Sequence, residues 1–253
     1  PPKGIAQNFH LVPDLSLNPN ISLPKPIEKS VTPTLLFCKK IWCWCNRFFY
    51  WIWTYKNCLV IGADSMSKLL NWEDRTTSVL FGDGAGAVIL QKYDTKKYNL
   101  EDWGILSNAL FTDGNYYDLL KTSGGVSTSK TVGSIEMVGK EVFRHAVEKL
   151  SSSLIEALQL TNKTIEDIDW LVPHQANQRI ILGVADKLKL NHEKIISTVS
   201  NHGNTSAASI PLALDSAILS NKIVNGNLIA FQAIGGGLSW GASLLRIGSP
   251  KNI

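Results

Sequence analysis

The stretch Asp167–Ile180, DIDWLVPHQANQRI, sets His174, Gln175 and Asn177 directly behind an apolar run, Ile168 to Val172. A run that short, stopped by Pro173, reads as a buried strand that ends at the proline and delivers His174 to the rim of a sheet. Ligand and catalytic sites in α/β sheets lie at such rims. Imidazole and carboxamide side chains there offer fixed N–H donors to a growing negative charge. Taken alone, a histidine after a strand is more often a satisfied structural residue, and an asparagine before Thr-Ser, as at Asn204, is more often a helix cap. The GDGAGA run beginning at Gly82 looks superficially like a dinucleotide-binding glycine fingerprint. It lacks the long helix and the acidic residue that should follow, so it reads as a tight strand turn.

The elements that must position these groups alternate between strand and helix from Thr54 onward, which makes the class α/β. NCLVIGAD, at Asn57–Asp64, reads as a buried strand. TSVLFGDGAGAVIL reads as two short apolar runs, Ser78 to Phe81 and Ala87 to Leu90, paired through the glycines. TDGNYYD and TSGGVSTS read as loops. Val142, Phe143, Ala146, Val147, Leu150, Leu154 and Leu158 fall near helical spacing and predict an amphipathic helix. Thr164 and Asp167 suit a capped turn. The strand to Pro173 follows, then a helix through NQRIILGVADKLKL, a strand KIISTV, and a helix NTSAASIPLALDSAIL. Two strands, NLIAFQAI and WGASLLRI, flank GGGLSWG.

The chain has 253 residues, 44% hydrophobic residues and a net charge of +4. That supports one large domain or two smaller ones with a real core. The mild positive charge suits an acidic protein or a phosphate-bearing partner as well as nucleic acid. No apolar run approaches the length of a membrane span, which predicts a soluble protein. Cys38, Cys43, Cys45 and Cys58 are the cysteines, and without a secretory signal before them they point to a reducing compartment. Cys43 and Cys45 have no second ligand pair at zinc spacing, so no metal is expected. Residues 1–53 stand apart from the rest. They begin Pro- and Asn-rich and end in a run holding Trp42, Trp44, Trp51 and Trp53 with no amphipathic period.

Five segments in chain order, WEDRTTSVLFGDGAGAVIL, MVGKEVFRHAV, DWLVPHQANQRI, HGNTSAASIPLALD and GGGLSWGASLLR, resemble β-ketoacyl-acyl-carrier-protein synthase III, a thiolase-like condensing enzyme. The resemblance runs from about Thr54 to the C-terminus. It implies a thiolase-like αβαβα layered fold with an intact C-terminal half and an incomplete N-terminal half. The implied division is an aberrant or disordered segment at 1–53, the remainder of the first half at 54–132, and the second half at 133–253. The implied reaction is decarboxylative condensation of an acyl-CoA, such as acetyl-CoA, with malonyl-acyl-carrier protein. The implied partners are the carrier protein, acyl-CoA and a second copy in a homodimer, with no nucleic acid, membrane, metal or cofactor. The implied location is the bacterial cytoplasm or the plastid.

By the same resemblance, His174 and Asn204 are the catalytic donors to the malonyl carbonyl oxygen. Gly235, Gly236 and Gly237 shape the backbone oxyanion site. Gln175, Ala176, Asn177, Gln178 and Arg179 lie near the carrier-protein arm, Arg75 near CoA, and Met137, Gly139 and Phe143 along the pantetheine tunnel. Lys140, Arg144, Lys149, Arg179 and Lys187 offer positive charge to an acidic carrier. The family's nucleophile segment, Ala-Ala-Cys-Ser-Gly-Phe, has no counterpart here. Its nearest matches are Cys45 in CNRFFY and Cys38 in LLFCKK. The alternative is therefore a non-catalytic remnant or partner-binding pseudoenzyme. The family's earlier strands and helices are missing too, so bare sheet edges and uncovered apolar faces are expected.

Overall fold

Short, mostly apolar runs pair into eight strands in the computed structural model, which describes residues 57–91, 102–125, 127 and 129–248. They are β1 (Asn57–Asp64), β2 (Gly84–Gln91), β3 (Gly104–Thr112), β4 (Leu120–Thr122), β5 (Ile135–Met137), β6 (Trp170–Pro173), β7 (Leu228–Gly235) and β8 (Ser239–Arg246). The longer helices are α1 (Gly139–Gln159), α2 (Gln178–Leu188) and α3 (Ser209–Leu219). The readings placed on residues 1–53, including Cys38, Cys43, Cys45 and the Trp-rich run, lie outside the described residues.

The larger sheet has the order β3-β8-β7-β6, with β8 antiparallel to both its neighbours and β6 parallel to β7. Side chains alternate across it, as a pleated strand requires. Leu171, Leu228, Ala230, Ala242 and Leu244 face Ala146, Leu150, Leu154 and Ala157 of α1 and Val184, Ala185 and Leu188 of α2. The opposite side carries Val172 and Ile229, packed on Ala213, Leu214 and Ala217 of α3. Two serines sit inside α1 without penalty because their hydroxyls bond to the helix's own carbonyls, Ser151 to Val147 O at 2.7 Å and Ser153 to Leu150 O at 2.9 Å.

Helix α3 is shared between the two sheets. Its other side meets β2, where glycines let the backbones close up: a Cβ on Gly86 would lie 2.9 Å from Pro211 Cβ, and one on Gly62 of β1 would clash with Ala207 O. The layers are therefore α1/α2, the four-stranded sheet, α3 and the β1–β2 pair. On the far side of that pair Leu59 and Ile61 are 53% and 55% exposed. β1 reads in sequence as a buried strand, but among the described residues only its face toward Ala207 is covered.

Two further readings are corrected. Ser78 to Phe81 is no strand; a one-turn helix, Arg75–Ser78, precedes a single bridge from Phe81 to Asn204, and Gly84 and Gly86 lie within β2. KIISTV makes only one bridge, Leu171 to Ile195, because the Gln175 side chain takes Ile196 O and Thr198 N in place of a neighbouring strand. Strands from both sides of position 132 share sheets, β3 pairing along its length with β8 and β4 with β5. The sequence reading passed over β3 because of its interior Ser107 and Asn108. The structure satisfies both: Ser107 donates to Ala157 O at 2.7 Å, and Asn108 accepts from Ser243 at 2.8 Å.

Leu154 is fully buried at the contact of α1 with the sheet. Leu154→Ala should cost about 2–5 kcal/mol in urea unfolding, whereas Leu219→Ala, at a position 70% exposed, should change stability by about 0.5 kcal/mol or less.

Candidate active site

The parallel pairing of β6 with β7 ends at Pro173 opposite Gln232, and His174 N–H continues it by donating to Gln232 O at 2.7 Å. This places the imidazole beyond the strand end, 7% exposed, in the wall of a cavity of about 1170 Å³. Its Nδ1 lies 2.7 Å from Ser209 Oγ. Burial alone pushes the His174 pKa down to about 4, so the ring is neutral at pH 7.

Asn204 reaches the same cavity from the other side of α3's lead-in segment. Its backbone is clamped, N–H to Leu80 O and carbonyl to Gly82 N–H, both at 2.9 Å. Its side-chain Oδ1 accepts Ser206 N–H at 2.9 Å, which leaves the Nδ2 amide as the group free to donate into the cavity. Here the cap-like hydrogen bond and the functional orientation are one feature.

Gly235, Gly236 and Gly237 line the cavity where β7 turns into β8. Gly237 has φ +134, and a Cβ on Gly236 would meet Leu120 O at 2.8 Å, so side chains are excluded from this turn. Met137, Gly139, Phe143, Ala176, Asn177, Gln178 and Arg179 also line it. Asn177 is at the same time the N-cap of α2, accepting Ile180 N–H at 2.9 Å. The apolar part of the wall adds Leu80, Phe81, Val142, Ile234 and Leu238, which sequence reading did not single out.

Two expected contact residues stand elsewhere. Gln175 is 1% exposed behind His174, and its amide is spent on Pro173 O, Ile196 O and Thr198 N–H at 2.7, 3.2 and 2.8 Å. Its place is structural support because no polar atom is left over for a ligand. Arg75 is exposed on the one-turn helix, outside the cavity wall, although its neighbour Thr76 lines it. The basic residues also separate. Lys140 and Arg179 line the cavity, with Arg179 5.6 Å from the centre of the Phe143 ring. Arg144 is paired with Glu141 at 2.6 Å, Lys149 lies over Trp240 at 3.9 Å and Tyr116 at 4.4 Å, and Lys187 is exposed on α2. Ser209 was missed, because Thr205, Ser206 and Ser216 beside it give the sequence no reason to single out this hydroxyl. Among the described residues no cluster of three or more His, Cys, Asp or Glu side chains is placed to hold a metal, and no helix is long and apolar enough to cross a membrane.

His174, Asn204 and the Gly235–Gly237 turn thus line one cavity on a layered α/β fold. The sequence model of 3-oxoacyl-[acyl-carrier-protein] synthase III matches residues 52–114 and that of its C-terminal part matches residues 158–247. The chain belongs to the β-ketoacyl-[acyl-carrier-protein] synthase III family. It is 54% identical over 189 residues to the synthase III of Novosphingobium aromaticivorans, covering 75% of this chain and 58% of that one. It is 55% identical over 191 residues to that of Wolbachia pipientis subsp. Culex pipiens, covering 76% and 58%. Among solved structures, the synthase III of Aquifex aeolicus superimposes with a TM-score of 0.74 at 39% identity, over 83% of this chain and 64% of that one. The chain thus spans under two thirds of the length of these relatives.

The depressed His174 pKa links stability to pH. The unfolded chain takes up this proton near the ordinary value of 6.5 and the folded chain only near 4, so the contribution is complete above about 6.5 and is lost as pH falls toward about 4. Unfolding free energy should therefore drop by roughly 2 kcal/mol more in the wild type than in His174→Gln between about pH 7 and about pH 4.5. Equal drops in urea titrations would show that His174 is not held neutral.

Proposed function

We propose that this site carries out the decarboxylative condensation of an acyl group with malonyl-acyl-carrier protein, with acetyl-CoA as the acyl donor. The observation that carries the reading is the pair of neutral donors, His174 and Asn204, converging on one cavity from separate elements. The malonyl thioester lies with its carbonyl oxygen between the two N–H groups. The bond to the carboxylate breaks, CO2 leaves, and the electron pair passes into an enolate whose oxygen both donors stabilise. The enolate carbon attacks the acyl carbonyl on a cysteine thioester, forming the new C–C bond. The C–S bond then breaks and the thiolate departs. Neutral donors suit this chemistry because each hydrogen-bonds the enolate oxygen without handing over its proton.

The acyl-bearing cysteine comes from the segment outside the described residues, with Cys45 and Cys38 as its candidates. Lys140 and Arg179, at the cavity wall, meet the phosphate of the carrier arm and the acidic carrier protein. Family membership supports the remaining features: no cofactor, a homodimer, no nucleic-acid or membrane partner, and a place in the bacterial cytoplasm or the plastid. In this reading residues 54–132, with the β1–β2 pair, are the remainder of the first half of the fold, and residues 133–253, with β6, β7 and β8, are the second.

His174→Ala or Asn204→Ala should slow CO2 release from malonyl-CoA by roughly a hundred- to a thousandfold. Cysteine acylation by acetyl-CoA, read as a single acetyl group by intact mass on Cys45 or Cys38, should continue. Equal loss of both steps would assign His174 to activating the nucleophile, and the site to a different reaction. Charge reversal at Lys140 and Arg179 should weaken carrier-protein binding and flatten its salt dependence. Unchanged titrations at low and high salt would remove the basic pair from the docking role.

A further inference from the structure

The segment that supplies Asn204 also supplies Ser209, the first residue of α3. The Ser209 hydroxyl lies 2.7 Å from His174 Nδ1 and 3.3 Å from Gln175 N, and these are its hydrogen-bond partners among the described residues. The Gln175 N–H can only donate, so Ser209 Oγ accepts there. The hydroxyl proton then has one acceptor within reach, the Nδ1 lone pair. Ser209 is 2% exposed, which keeps bulk solvent from offering that proton another acceptor.

A neutral imidazole has one ring proton, and a lone pair on Nδ1 places it on Nε2. We propose that Ser209 is a positioning residue that holds His174 as the Nε2–H tautomer and so aims its single proton into the cavity. The opposite tautomer would donate Nδ1–H to Ser209, strand the hydroxyl proton in an apolar setting and turn a lone pair toward the enolate oxygen. Gln175 stiffens the arrangement: its amide is pinned to Pro173, Ile196 and Thr198, so the backbone N–H that polarises Ser209 cannot drift. The purpose of the device rests on the condensing reaction proposed above, but the tautomer itself does not.

The test uses the full chain with 15N-labelled histidine, the His174 signals being assigned by their loss in His174→Asn. Long-range proton–nitrogen spectra should show Nε2 protonated and Nδ1 bare in the wild type. Ser209→Ala should give a mixture of tautomers and lower kcat for malonyl-CoA decarboxylation about ten- to a hundredfold, with KM little changed, a smaller loss than deleting the donor. Ser209→Thr, which restores the hydroxyl, should recover the tautomer and most of the rate. A wild type with Nδ1–H overturns the proposal, and this spectrum decides it even if Ser209→Ala does not fold. A tautomer change without a rate change, or a rate change without a tautomer change, also overturns it. A wild type with Nε2–H but no decarboxylation leaves Ser209's hold on the ring intact and removes the reaction proposed for it.

Discussion

The structure turns on one short backbone segment, Gly203 to Ser209, that both sheets hold in place. Asn204 exchanges backbone hydrogen bonds with Leu80 and Gly82 on the β1–β2 side, and Ala207 N–H bonds to Asp64 at 3.1 Å. Ser209, a turn later, bonds to His174 at the rim of the other sheet. The segment can lie this close to β1 only because Gly62 offers no Cβ to Ala207 O. The donor on each side of the cavity is thus fixed relative to the other through a stretch of chain with little freedom to relax, which is what preorganised charge stabilisation needs.

Burial does the rest. The imidazole, 7% exposed and bonded to Ser209 of α3, lies in surroundings that disfavour its charged form, so the ring is neutral at neutral pH. The amide of Asn204 cannot ionise at all. In the proposed reaction the site would stabilise charge through oriented dipoles, in a cavity whose remaining wall is largely apolar. Interactions of this kind are stronger there than in water.

The sequence made much of this legible, for physical reasons that differ by element. α1 was plain because its apolar residues repeat at helical spacing with no competing signal. β6 and His174 were plain because a proline stops a short apolar run. The role proposed for Asn204 rests on the resemblance, since a side chain that caps its own turn looks the same in sequence whether or not its amide also faces a cavity. β3 was missed because its buried polar residues break the pattern, although their partners, Ala157 O and Ser243, are far away in sequence. The strand read into KIISTV failed because a side chain, Gln175, supplied the hydrogen bonds that a neighbour strand would have made. β1 reads as a buried strand, yet Leu59 and Ile61 are exposed among the described residues, since an apolar run alone does not say which of its faces is covered.

The central claim is that His174 acts as a neutral hydrogen-bond donor, neither as an acid nor as a base. The most direct measurement is the pH dependence of malonyl-CoA decarboxylation by the full chain. A neutral donor whose pKa lies at about 4 predicts a rate that is level from about pH 5.5 to about pH 8. An inflection near the ordinary histidine value that disappears in His174→Gln, in either direction, would contradict it.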